Sequence, residues 1–241
     1  SFGGMTLERN GRFVYAFDST TGSISAFAIN ATTGVPTPLT GSPIAAGANI
    51  TLLGAHPNGK YIYAKRGPQT QTVANGVAVF ALNEETGSLS EIAGSPFDTS
   101  ANPLAIAFDP TGRRMYAGHL LVQGTSEINV RAYSVDPDSG ALSSINGSPF
   151  ASPAFPSALN VDSTGKYLYV ANTPSNQLTA YLIDNGDGSL SQLASSPSNV
   201  GASPTLIATE QDATPLSLSS KFVYVSDPIG SIRSFNIAAD G

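Results

Sequence analysis

The chain contains no cysteine and no tryptophan, only two histidines and two methionines, and 12% charged residues, about half the usual quarter. Without cysteine there is no disulfide, no thiolate metal site, no iron–sulfur cluster and no cysteine nucleophile. Eleven Lys and Arg against 17 Asp and Glu leave a net charge of −6. That is the wrong sign for neutralising a phosphate backbone, so nucleic acid is not expected as a partner. No apolar run approaches the ~18 residues of a membrane span. Residues 1–20 lack the basic segment and apolar segment of a signal peptide. No Gly-x-Ser-x-Gly elbow is present, and no stretch repeats with the 3.6-residue period of a helix. What remains is a 241-residue chain with 41% hydrophobic residues, enough for a substantial core.

That chain is repetitive. One segment occurs five times: Gly11-Arg-Phe-Val-Tyr-Ala16, Gly59-Lys-Tyr-Ile-Tyr-Ala64, Gly112-Arg-Arg-Met-Tyr-Ala117, Gly165-Lys-Tyr-Leu-Tyr-Val170 and Ser220-Lys-Phe-Val-Tyr-Val225. Its central tyrosines, Tyr15, Tyr63, Tyr116, Tyr169 and Tyr224, are 48, 53, 53 and 55 residues apart. An aromatic residue follows each time (Phe27, Phe80, Tyr133, Tyr181, Phe235), then a turn glycine (Gly34, Gly87, Gly140, Gly188, Gly241). Gly-Ser-Pro comes next at 41–43, 94–96 and 147–149, reduced to Ser-Ser-Pro at 195–197. A fixed period of this length marks a repeat architecture.

Each unit reads as four short strands. In the third, 104–108 is an apolar run and 109–112 a Pro/Gly turn. Residues 114–117 form a second strand, 128–135 alternate as a half-buried third, and 142–145 make a short polar fourth. Four antiparallel strands in about 50 residues, repeated, predict an all-β protein, a β-propeller of four-stranded antiparallel blades. The repeats fall at about 1–47, 48–100, 101–153, 154–202 and 203–241, the last lacking its outer strand, which makes 19 strands in one propeller domain or propeller fragment. The preferred reading is part of a larger ring. A self-contained five-bladed ring and an open arc that assembles with a copy of itself are the alternatives. An unpaired blade edge invites self-association in either of these. Loops lengthened at 67–76 and 120–127 lie on one face, and one at 211–220 on the other.

The motif is most complete at Asp162-Ser-Thr-Gly-Lys-Tyr-Leu-Tyr-Val-Ala-Asn172, followed by Asn-x-Leu-x-x-Tyr-x-Ile-Asp and Gly-x-Leu-x-x-x-x-x-Ser-Pro. It resembles the YVTN-type propeller repeat. More narrowly, it resembles the lactonase-like seven-bladed propellers, which include 6-phosphogluconolactonase and the carboxymuconate-lactonising enzymes. The resemblance spans the chain, and the residues that carry it are scaffold. It implies the fold and, for activity, hydrolysis of a sugar or carboxylated lactone without a cofactor.

The residue three after each central tyrosine is polar: Asp18, Arg66, His119, Asn172 and Asp227. In a propeller these end the second strands around one mouth of the central channel, with Lys65, Glu127 and Arg131 as neighbours. Opening a lactone takes a water, a general base and a cation at the developing oxyanion. His119 is the candidate base. Arg66 is the candidate clamp for oxyanion or carboxylate, and Asp18 or Asp227 the candidate orienter of the imidazole. Lys65, Asn172, Glu127 and Arg131 are candidate substrate-binding residues. The bland reading is that strand ends are exposed and Asn or Asp simply begins a turn.

Other motifs dissolve into repeat grammar. Residues 54–60 imitate a phosphate loop, but Tyr61 stands where Ser or Thr is needed and a strand follows. His56 aligns with Asp109 and Asp162 and reads as a turn cap. It lies on the face opposite His119, so the two histidines cannot share a metal. Residues 184–188 lack the ligand pattern of a calcium loop. Asn30, Asn49 and Asn146 begin glycosylation sequons that matter only in a eukaryotic secretory setting. Besides the lactonase, a non-catalytic propeller binding a ligand, glycan or protein and a structural fragment remain in play. The low charge favours an extracellular or periplasmic setting over a cytoplasmic one.

Overall fold

Short apolar runs separated by turn residues can satisfy their backbone hydrogen bonds only by pairing sideways. In this chain they pair with their neighbours in sequence. The computed structural model describes residues 4–47, 50–67, 76–97, 99, 103–119, 129–152, 155–173, 175–201, 203–209, 222–226 and 232–236, with side chains except at 51–53, 209, 222–226 and 232–236. Among them there is no helix.

The first sheet runs β1 (Gly4–Leu7), β2 (Phe13–Asp18), β3 (Ser23–Ile29) and β4 (Pro36–Pro38), and β5 (Ile44–Ala45) returns to β3. The second runs β6 (Ile50–Ala55), β7 (Tyr61–Arg66), β8 (Gly76–Leu82) and β9 (Leu89–Glu91). The third runs β10 (Pro103–Phe108), β11 (Arg114–His119), β12 (Asn129–Val135) and β13 (Leu142–Ser144), with β14 (Phe150–Ala151) returning to β12. The fourth runs β15 (Pro156–Val161), β16 (Tyr167–Asn172), β17 (Gln177–Ile183) and β18 (Leu190–Gln192), with β19 (Ser198–Asn199) on β17. The fifth holds β20 (Leu206–Thr209), β21 (Phe222–Ser226) and β22 (Ile232–Asn236). Every pairing given is antiparallel. The lengthened loops at 67–76, 120–127 and 211–220 fall largely outside the described residues.

The repeat therefore builds the expected four-stranded blades, with one addition. Two-residue strands follow Ser-Pro in three sheets, and an isolated Val77–Phe97 bridge stands in their place in the second. The reason lies on the third strand. In the first sheet β4 covers 27–29 of β3 and β5 covers 23–24. The Ala26 N–H falls in the gap, and Ser42 Oγ accepts from it at 2.9 Å. Ser95, Ser148 and Ser196 accept likewise from Val79, Ala132 and Ala180, at 3.0, 3.1 and 2.7 Å. This explains why Ser-Pro survives in the fourth repeat where its glycine does not. All four Ser–Pro bonds are cis.

The chain divides into two compact units, Ser1–Asn102 with Asp136–Leu142, and Pro103–Val135 with Ser143–Gly241. In the first, Tyr15, Ile24 and Ala26 form one apolar layer with Ile62, Ala78 and Phe80. In the second, Tyr116, Val130 and Ala132 pack with Leu168, Val170 and Tyr181, while Tyr167 and Tyr169 pack with Leu178 and Val200. Each such large side chain contributes roughly 1.5–3 kcal/mol on burial.

The buried tyrosines also need partners for their hydroxyls. Tyr15 donates to the Gly87 carbonyl at 2.7 Å, Tyr63 to Gly140 at 2.6 Å and Tyr116 to Gly188 at 3.1 Å. The central tyrosine of one blade thus holds the turn glycine of the following repeat. Desolvation pushes all three phenols upward. The Tyr169 hydroxyl is buried with no partner among the described residues. The turn glycine that would answer it, Gly241, lies outside them.

This contact dictates glycine. Gly34 and Gly87 have nearly the same backbone, φ 71° and 72°. A Cβ on Gly34 would meet nothing within 4 Å, whereas on Gly87 it would lie 2.5 Å from Phe13 and 2.7 Å from Leu39. Gly34→Ala should cost about 1–2 kcal/mol for the left-handed conformation. Gly87→Ala should cost about 1–3 kcal/mol more, for overpacking. Urea unfolding of the two variants measures that difference, and equal midpoints would refute the packing role of Gly87.

Candidate functional site

The strand connections place Asp18, Arg66, His119 and Asn172 at the last positions of β2, β7, β11 and β16. Asp18, Lys65 and Arg66 belong to the first unit, and His119, Arg131 and Asn172 to the second. Asp227 and Glu127 lie outside the described residues.

Two of these positions hold the chain as it crosses into their own blade. Arg66 Nε donates to the Ala46 carbonyl at 2.9 Å, and its two terminal nitrogens grip the Glu91 carboxylate at 3.1 and 3.0 Å. Glu91 also accepts from Ser95 Oγ at 2.7 Å. Three of the five guanidinium donors are thereby committed to tying the crossing segment and outer strand to β7. Asn172 does the same with an amide: Ser152 Oγ donates to its Oδ1 at 2.8 Å, and its Nδ2 donates to Thr179 Oγ1 at 2.7 Å and Val170 O at 3.1 Å. In both cases the latch reaches back 20 residues.

Asp18 serves its own turn. Its Oδ1 accepts from the Thr20 N–H at 2.8 Å. That hydrogen bond is the main cause that holds its carboxyl below the usual range. Lys65 sits beside Arg66 on β7 but points to the other face. Burial pushes its ammonium below the ordinary lysine value. His56 is the turn cap its alignment implies: its Nδ1 accepts from the Asn58 N–H at 3.2 Å, as Asp109 accepts from Arg114 N at 2.9 Å and Asp162 from Tyr167 N at 2.9 Å. Residues 184–188 are a plain turn, with Asp184 Oδ1 accepting from Gly186 and Asp187.

The third sheet differs. On β11 and β12, Tyr116, Val130 and Ala132 face the core shared with the fourth sheet. Strand alternation puts His119, Asn129 and Arg131 together on the other face. His119 stands directly opposite Asn129 in the register, and Ala117 opposite Arg131, where Cβ atoms lie about 4.5–5.5 Å apart. His119 is fully buried and Asn129 is 3% exposed, while Arg131 is half-buried. Both polar atoms of the Asn129 amide and the Arg131 Nε are buried without a partner among the described residues. One face of one hairpin thus carries an imidazole, an amide and a guanidinium.

The model of a family described as "Lactonase, 7-bladed beta-propeller" matches residues 66–172 and 132–209, more than half of the chain. The chain belongs to this family. No curated protein shows a significant match. Among solved structures it is similar to a Bacteroides uniformis protein provisionally assigned as a 6-phosphogluconolactonase, with TM-score 0.70 and 22% identity over 83% of this chain and 55% of that one. It is also similar to a protein of unknown function from Desulfotomaculum acetoxidans, with TM-score 0.72 and 15% identity over 98% and 66%. A third is the periplasmic gluconolactonase of Pseudomonas aeruginosa, with TM-score 0.63 and 16% identity over 95% and 70%. At these identities the likeness is one of fold. The chain spans just over half of the first of these structures.

Within this lactonase propeller, the residue that sequence reasoning missed is Asn129, which passed as one step of an alternating strand. A signal was present at Arg131. The positions matching it in the other blades, read across from Ala16, Ala64, Val170 and Val225, are Ser25, Ala78, Thr179 and Arg233. A guanidinium at this position is shared with Arg233 of the fifth sheet, whereas three repeats keep small side chains.

Two expectations follow. Arg66→Met should lower stability by about 1–2 kcal/mol, for the loss of the hydrogen bonds to Ala46 and Glu91; denaturant unfolding of the variant checks this. For Asp18, the folded pKa lies below the unfolded value of about 3.9. Its contribution is therefore present above that value and lost as pH falls through the lowered one. Asp18→Asn keeps the acceptor, as Asn30 and Asn83 do for Thr32 and Glu85. Thermal unfolding scanned downward in pH should show the variant losing less stability on acidification than the parent.

Proposed function

We propose that this lactonase propeller hydrolyses a sugar lactone on the β11–β12 face, with His119 as general base and Arg131 as the cation at the carbonyl. The observation that carries this reading is the juxtaposition of a fully buried histidine with a guanidinium whose Nε has no partner among the described residues, on one face of one hairpin. Arg66, the cation first considered, is engaged with Glu91 and Ala46. Arg131 takes its place because it makes no ion pair among the described residues and shares the unit that holds His119.

The chemistry is acyl transfer to water. His119 accepts a proton from water as its oxygen bonds to the lactone carbonyl carbon. Negative charge builds on the carbonyl oxygen, and Arg131 stabilises it. When the tetrahedral intermediate collapses, the ring C–O bond breaks and the imidazolium returns its proton to the departing alkoxide. The product is the open hydroxy acid. No cofactor enters this balance.

His119→Ala should lower kcat/KM for a hydrolysable sugar lactone by on the order of 10²–10⁴-fold. Arg131→Gln should lower kcat more than it raises KM, since its charge acts chiefly in the transition state. Turnover of glucono-1,5-lactone, followed by acid release and corrected for spontaneous opening, measures both. A His119→Ala chain that folds and turns over at the parental rate removes His119 from the mechanism.

A further inference from the structure

A buried side-chain amide can make up to four hydrogen bonds, and leaving them unmade is costly. Asn172 shows how the scaffold meets that demand, with Ser152, Val170 and Thr179 around its amide. Asn129 is as deeply placed, at 3% exposed, and neither its nitrogen nor its oxygen has a partner among the described residues. The blade keeps no fixed residue type there, and an amide recurs only in the fourth sheet. The positions opposite Asp18, Arg66 and Asn172 are Ser23, Gly76 and Gln177. Buried polar groups are rarely left unanswered in native proteins, and a bound group is one way in which such an atom is satisfied.

The chemistry of the answer can be read from the face. An amide offers donors and an acceptor side by side, which a pair of hydroxyls complements. Two residues along β12 and on the same face, Arg131 has its Nε buried and unpartnered, and it makes no ion pair among the described residues. A planar guanidinium of that kind matches the two oxygens of a carboxylate. Arg131 as a whole is half-buried rather than sealed in. Ala117, opposite Arg131, adds no bulk. His119, opposite Asn129, completes the row.

We propose that Asn129 and Arg131 form a binding pair for a polyhydroxy acid, Arg131 holding the carboxylate and Asn129 the neighbouring hydroxyls. This rests on the lactone-hydrolase reading in that such an acid is what opening a sugar lactone produces. It concerns binding, however, and is tested without turnover.

The test measures binding of D-gluconate, D-glucitol and acetate to the chain by calorimetry, with unfolding midpoints recorded for each variant. Gluconate should bind at least tenfold more tightly than glucitol, which lacks the carboxylate, and than acetate, which lacks the hydroxyls. Arg131→Gln should abolish the preference for gluconate over glucitol. Asn129→Leu should weaken gluconate at least tenfold while its unfolding midpoint stays at or above the parental one, because an unanswered amide has been replaced by an apolar group of similar size. Equal affinity for the three probes, parental gluconate binding in Asn129→Leu, or a midpoint lowered by that substitution would each overturn the pair. The two readings separate cleanly. Gluconate binding with this pattern in a chain that opens no lactone keeps the pair and removes the catalysis. Turnover that depends on His119, with gluconate binding indifferent to both substitutions, removes the pair alone.

Discussion

A buried phenol hydroxyl must find an acceptor, and in this protein it finds the carbonyl of a turn glycine more than seventy residues later. That requirement governs much else. It brings a turn hard against the aromatic face of another sheet, so the turn residue can carry no Cβ at Gly87, Gly140 or Gly188. It sets the depth at which the second strand of each blade lies, and with it the apolar layers around Tyr15 and Tyr116. The tyrosine, the glycine and the aromatic between them recur together because they are parts of one contact rather than three separate preferences.

The ends of the second strands follow a second rule. Arg66 and Asn172 differ in charge, size and chemistry, yet both reach back twenty residues to the segment entering their own blade. A polar residue at this position is first a latch. This is why a row of polar strand ends is a poor guide to a reaction centre. Asp18 is bound to its own turn, and Arg66 is bound to Glu91. Capacity for chemistry remains where hydrogen-bonding groups are buried and not consumed, and the β11–β12 face is where Asn129 and Arg131 meet that description.

The same logic separates this protein's family from its activity. Membership in the lactonase propellers rests on tyrosines, glycines and Ser-Pro pairs that build blades, and such residues recur in every repeat. A reacting group has to break the repeat. His119 does so, since its counterparts are Asp18, Arg66 and Asn172, while Arg131 departs from Ser25, Ala78 and Thr179 but matches Arg233 of the fifth sheet.

The blade was legible in the chain because a β-sheet's demands are local and periodic: alternation, turn glycines and tyrosines at a fixed spacing announce four strands wherever they recur. The two-residue strands after Ser-Pro were not legible, because a gap in strand pairing shows only once the partners of Ala26 or Ala132 are in place. Position alone likewise nominated Asp18, Arg66, His119, Asn172 and Asp227, with Arg66 and His119 set apart only by residue type. Which of them keeps its hydrogen-bonding groups for itself depends on Thr20, Glu91, Ala46 and Ser152, residues two to twenty-five positions away in sequence. Asn129 stood in the sequence as an ordinary member of an alternating strand. Only folding buried its amide and left it without a partner among the described residues, since burial and partnership belong to the assembled neighbourhood and not to any residue type.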